Sequence, residues 1–139
     1  MSLEINIQEF EDYIRVDVSG SRTRGREVEE ATDLMRRIVE VCRASGIYRI
    51  LSVSRVSGQI PTVDAYQLAG KPEEFGWSRG FKLAVVDLNE KSRETTLFSE
   101  TVSVNRGFDT KVFDNEKEAK KWLLVSPGPD PKAAELKEE

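Results

Sequence analysis

The chain has 139 residues, of which 38% are hydrophobic and 33% charged, and a formal net charge of −4. That length can bury one core of its own, and an acidic balance does not suit a partner such as the nucleic-acid backbone, which calls for a basic patch or stripe. With no His and one Cys, the chain lacks the commonest general base and metal ligand, and it can form neither an internal disulfide nor a thiolate zinc cluster. No apolar run approaches the roughly 20 residues of a membrane span. The opening MSLEINIQEF has neither the basic nor the apolar region of a signal peptide, so a cytoplasmic protein is expected.

In chain order, Leu3, Ile5 and Ile7 alternate with polar neighbours, the period of a half-buried strand. Glu11-Asp12 interrupts, and Tyr13 to Val18 reads as a second strand with Ile14, Val16 and Val18 on one face. The short break implies an antiparallel hairpin. Ser19 to Gly25 is polar and reads as a loop. From Arg26 the period changes: Val28, Ala31, Leu34, Met35, Ile38, Val41 and Cys42 follow the spacing of an amphipathic helix. Glu27, Glu29 and Glu30 precede Arg36, Arg37 and Arg43, as the helix dipole favours, and Gly46 is placed to end the helix.

Tyr48 to Val53 is the expected central strand, followed by a loop from Ser54 to Gly58. Thr62 to about Leu68 reads as a short helix, closed by Gly70 and Pro72. FKLAVV, Phe81 to Val86, suits a strand covered on both faces. Asn89 can cap a helix running to Asn105, with Leu97, Phe98, Thr101 and Val102 as its inner face and Gly107 as its stop. Thr110 to Phe113 is a short last strand. Asp114 or Asn115 caps a final helix that turns Ala119, Trp122 and Leu123 inward. The expected domain spans 1–124. The segment 125–139, VSPGPDPKAAELKEE, reads as a flexible charged tail. The order β-β-α-β-α-β-α-β-α predicts an α/β fold with a mixed, mostly parallel five-stranded sheet, about four helices and right-handed crossovers.

This order, together with DYIRVDVSG (12–20), GFKLAVVD (80–87) and NRGFDTKVFDNEKEAKKWLL (105–124), resembles the STAS superfamily of sulfate-transporter and anti-sigma-factor-antagonist domains. The closer likeness is to its SpoIIAA-like branch of small bacterial proteins, over about residues 3 to 124. The resemblance implies a non-enzymatic, regulatory module that binds a protein partner or itself. In the antagonists an Asp ends the third strand, and a Ser in an Asp-Ser-Ser-Gly-like motif at the next helix start is phosphorylated. Here Ser52 stands near the place of that Asp, and the helix opens Ile60-Pro61-Thr62-Val63-Asp64, with Thr62 the only hydroxyl close to the helix start.

Thr62 has two readings. As a phosphoacceptor it would place roughly two negative charges at a helix N-terminus, with Arg55 as a tether. As a plain N-cap it contributes about 1 kcal/mol. Ser54, Arg55 and Ser57 follow the third strand and Asp87 ends the fourth, on the rim where open α/β sheets gather ligands. Ser54, Ser57, Thr62 and Asp87 line either one crevice or an ordinary solvated rim. Arg106 offers an anion a planar fork of donors, yet Asn105-Arg106-Gly107 equally suits a helix C-terminus. Cys42 lies on an apolar stripe as a small hydrophobe. Trp77 either covers the end of the core or forms an exposed patch. Asp64 and Asp87 occur singly, without the paired pattern of acid–base catalysis. No cofactor, metal or nucleic acid is expected. The alternative to a protein partner is a small lipid or nucleotide ligand, although no Gly-rich phosphate loop follows strand one or three.

Overall fold

The computed structural model describes residues 3–57, 74, 76–78 and 80–125. Strands β1 (Leu3–Glu9), β2 (Ile14–Ser21), β3 (Arg49–Ser57), β4 (Lys82–Asp87) and β5 (Asp109–Phe113) form one sheet in the order β1-β2-β3-β4-β5. β1 runs antiparallel to β2, and β2 to β5 are parallel. The helices are α1 (Glu27–Ser45), α2 (Glu90–Asn105) and α3 (Glu116–Val125). The α/β class and the mixed, mostly parallel five-stranded sheet are as expected. Three helices stand among the described residues where about four were expected. The helix expected from Thr62 to Leu68, Thr62 itself and the tail beyond Val125 lie outside the described residues, and Val125 is the last residue of α3. Among the described residues no helix is long and apolar enough to cross a membrane.

The strand period sorts the two faces. Leu3, Ile5 and Ile7 pack with Ile14, Val16 and Val18 against Ile38, Val39 and Cys42 of α1, because paired residues of neighbouring strands share a face (Ile5 with Val18, Ile7 with Val16). Trp77 is buried here, its ring 4.8 Å from that of Phe81, so it covers the core. Gly46 ends α1 at φ 77°, a left-handed conformation that glycine adopts without a Cβ penalty. Cys42 is fully buried, and burial pushes its thiol pKa up to about 12.

Two expected loops are strand instead. β2 continues through Ser19, Gly20 and Ser21, and β3 through Ser54, Arg55, Val56 and Ser57. Each segment is too polar to announce a strand, but they pair with each other (Ser19 with Arg55, Gly20 with Val56, Ser21 with Ser57). The Ser21 and Ser57 hydroxyls share a 2.7 Å hydrogen bond. The ladder satisfies backbone groups that either segment would leave open alone.

The opposite face is covered by α3, whose Ala119 and Leu123 pack on Leu51, Val53, Ala84 and Val86. With ten residues, such a helix is marginal without tertiary support. Charge supplies it at both ends. At the N-terminus, Asn115 Oδ1 accepts a hydrogen bond from the Glu118 amide at 2.9 Å. Glu116 meets Arg15 at 2.6 Å and Arg55 at 3.7 Å, and both arginines also reach Asp17, at 2.8 and 3.6 Å. The four side chains form a ring of alternating sign. At the C-terminus, Arg49 donates to the carbonyls of Leu123 and Leu124 at 3.0 Å each, and Lys82 Nζ donates to that of Trp122 at 3.1 Å. These are carbonyls that a helix end leaves without internal partners, at the negative pole of its dipole.

Lys82 is 1% exposed, and burial lowers its pKa against the opposing pull of Asp109. The unfolded chain therefore holds the extra proton between the folded pKa and about 10.4, so this group makes folding more favourable as pH rises through that window. Urea titrations of the wild type and Lys82→Met are expected to shift in favour of the wild type as pH rises towards about 10.4. A difference that stays flat across the range would contradict the buried ammonium.

Candidate functional site

Asp87 ends β4 with a carboxyl group only 3% exposed, and a buried carboxylate needs hydrogen-bond donors. Its Oδ2 accepts from the Thr96 hydroxyl at 2.7 Å, and its Oδ1 from the Asn89 amide at 3.0 Å. Its backbone carbonyl accepts from Arg93 Nη2 at 3.3 Å. Asn89 caps α2 by accepting from the Lys91 amide and donates through Nδ2 to the Val56 carbonyl at 2.9 Å. Farther along, Glu100 accepts from the Val112 amide of β5 at 3.2 Å. The side of α2 turned to the sheet thus carries Arg93, Thr96 and Glu100.

The inner face expected from apolarity, Leu97, Phe98, Thr101 and Val102, does not form. Leu97 is 45% and Phe98 42% exposed, Thr101 is exposed and Val102 is half-buried. The Asp87–Thr96 bond sets the rotation of the helix, and the apolar residues follow it outward. Glu90, Glu94, Leu97, Thr101 and Val104 fall on one exposed stripe at alternating intervals of four and three residues. Among the described residues there are six exposed large hydrophobic side chains, and four of them (Leu88, Leu97, Phe98, Val104) lie on α2 or its approach.

A cavity of about 170 Å³ lies between the sheet and the helices. Val18, Ser52, Ser54, Val56, Val85 and Asp87 line it from the strands. Leu34 of α1 and Thr96 of α2 lie across from them, and Leu3 and Arg22 also line it. Ser54 and Asp87, expected on one rim, are paired partners on adjacent strands and share this cavity. Of the other expected rim residues, Thr62 lies outside the described residues, and Ser57, Arg55 and Arg106 do not join them. Ser57 does not line the cavity; its hydroxyl is bonded to Ser21 and donates to the Gly20 carbonyl. Arg55 is committed to Asp17 and Glu116 on the α3 face. Arg106 sits at the far end of α2, about 24 Å from its start, as the C-cap of a turn closed by Gly107 at φ 88°. There the Phe108 amide donates to the Ser103 carbonyl and the Gly107 amide to that of Val104, a helix-ending motif that matches the structural reading of Asn105-Arg106-Gly107.

Sequence reasoning did not reach Arg22 or Thr96. Arg22 lay in an assumed loop, and Thr96 carries no motif. A signal for the cavity was present in β3, where Ile50, Ser52, Ser54 and Val56 occupy one face and small polar residues replace apolar ones at its centre. Burial lowers the pKa of the Arg22 guanidinium, against the pull of Glu30, Asp87 and Glu27. Among the described residues no group of three or more His, Cys, Asp or Glu is placed to hold a metal ion.

Comparison with protein-family models and with curated proteins gives no match.

Thr96→Val keeps the shape of the side chain and removes one donor to a buried carboxylate. It is expected to lower stability by about 1–3 kcal/mol in urea denaturation. An unchanged midpoint would show that the Asp87–Thr96 bond does not hold α2.

Proposed function

We propose that the chain is a non-enzymatic, STAS-like regulatory module that binds a protein partner, and that the outward stripe of α2 is the docking face. The observation that carries this reading is the exposure of Leu97, Thr101 and Val104 in line, with Phe98 beside them. Apolar side chains gathered on one exposed element mark interaction surfaces. The four-three spacing accepts the knobs of a second helix. Glu90 and Glu94 extend the same line towards the start of α2, so the fitting partner is a helix of another protein with apolar knobs and Lys or Arg beside them. A parallel second copy would set Glu94 against its own counterpart, which opposes that arrangement.

The order of strands and helices and the resemblance over residues 3–124 support a binding role. The absence of His and the burial of the single Cys support a non-enzymatic one, because a nucleophilic Cys needs a thiolate and an activating base.

The test is a photo-crosslinking amino acid placed at Thr101 in cells of the source organism, with Lys111 on the α3 side of the sheet as the control position. A discrete adduct of this chain with another protein is expected from position 101 and not from 111. Leu97→Asp, at an exposed position where the fold survives, should remove it, in line with the loss of about 2 kcal/mol or more typical of a central contact. An adduct that persists in Leu97→Asp, that forms equally from 111, or that has the mass of two copies of this chain would overturn the assignment.

A further inference from the structure

The cavity beside Asp87 is independent of the outward face of α2 and has its own unmet chemistry. Among the described residues, the hydroxyls of Ser52 and Ser54 and the guanidinium of Arg22 make no hydrogen bond, and all three line this one space. All three are half-buried, and among the described residues each leaves its donors open to the cavity. The three groups share one capacity, which is to donate hydrogen bonds to oxygen. Asp87, the acidic group of the same wall, already accepts from Thr96 and Asn89.

The remaining walls select among oxygen-bearing ligands. Leu3, Val18, Leu34, Val56 and Val85 are apolar and suit a short hydrocarbon. The volume of about 170 Å³ is below the roughly 300–1,000 Å³ of pockets that hold drug-sized molecules, so neither a nucleotide nor a lipid chain fits within it. Arg22 sits among Glu30, Asp87 and Glu27, so the local field is far from basic. That disfavours a doubly charged phosphate and leaves room for a single negative charge held by a planar fork of donors.

We propose that this cavity is a binding site for a small branched or short-chain carboxylate, with Arg22, Ser52 and Ser54 donating to the carboxylate and the apolar wall enclosing the hydrocarbon.

The experiment is a titration of the isotope-labelled chain with isovalerate at neutral pH, followed by amide chemical shifts. Saturable shifts are expected at Val18, Ser52, Ser54, Val56 and Val85. Arg22→Gln, which breaks no side-chain hydrogen bond among the described residues, should weaken binding roughly tenfold or more, and Ser54→Ala by about three- to tenfold. The serine variant supplies the reading if Arg22→Gln fails to fold. Inorganic phosphate at equal concentration should not displace the probe. The proposal is overturned by the absence of saturable shifts, by unchanged affinity in either folded variant, or by displacement with phosphate.

Discussion

One buried carboxylate organises the half of the molecule that carries both candidate surfaces. Asp87 lies at the end of β4 with almost no access to water, and its carboxylate accepts hydrogen bonds from the cap and the second turn of α2. A buried anion that loses a donor is costly, whereas an apolar side chain left on the surface costs little by comparison. Where these two demands compete, the carboxylate prevails. α2 is therefore seated by hydrogen bonds, and Leu97, Phe98 and Val104 are exposed. The same bonds make Thr96 part of the cavity wall. The two candidate binding surfaces are thus opposite sides of one helix held in one rotation.

The other face of the sheet follows a different rule. Among the described side chains of α3, Ala119 and Leu123 are fully buried, and its ends are fixed by the ring of Arg15, Asp17, Arg55 and Glu116 and by the donors Arg49 and Lys82. Those groups belong to β2, β3 and β4, so closing α3 over the sheet also holds the strands in register. This use of charge explains why Arg55 takes no part in the rim on which Ser54 and Asp87 meet. Successive residues of a strand point to opposite faces, and Arg55 points to the α3 side.

Elements whose periodicity matched their environment were legible in the sequence. Leu3-Ile5-Ile7 and Ile14-Val16-Val18 alternate because one side of each strand meets α1 and the other does not. The stripe of α1 repeats at helical spacing from Leu34 to Cys42 because it lies along that layer, whereas Val28, expected on the same stripe, is exposed. Gly46 and Gly107 marked helix ends because only a residue tolerant of positive φ serves there. What could not be read depended on distant partners. The polar ends of β2 and β3 are strands only because they pair with each other. The rotation of α2 was misread because apolarity was the only local guide and the deciding partner, Asp87, precedes the helix. Within the candidate site, Ser54 and Asp87 were legible from their places at strand ends. Arg22 and Thr96 were not, since their roles arise only from what the fold brings beside them.

The account therefore turns on which side of α2 meets water, and hydroxyl-radical footprinting of the isolated chain reads that directly. Phe10, 42% exposed, and Phe108, 3% exposed, provide internal standards within the same protein. Phe98 is predicted to oxidise at a rate close to that of Phe10, and Leu97 to be modified alongside it, while Phe108 and Phe81 stay protected. Protection of Leu97 and Phe98 to the level of Phe108 would mean that the apolar side of α2 faces the core, and the docking face would be lost with it.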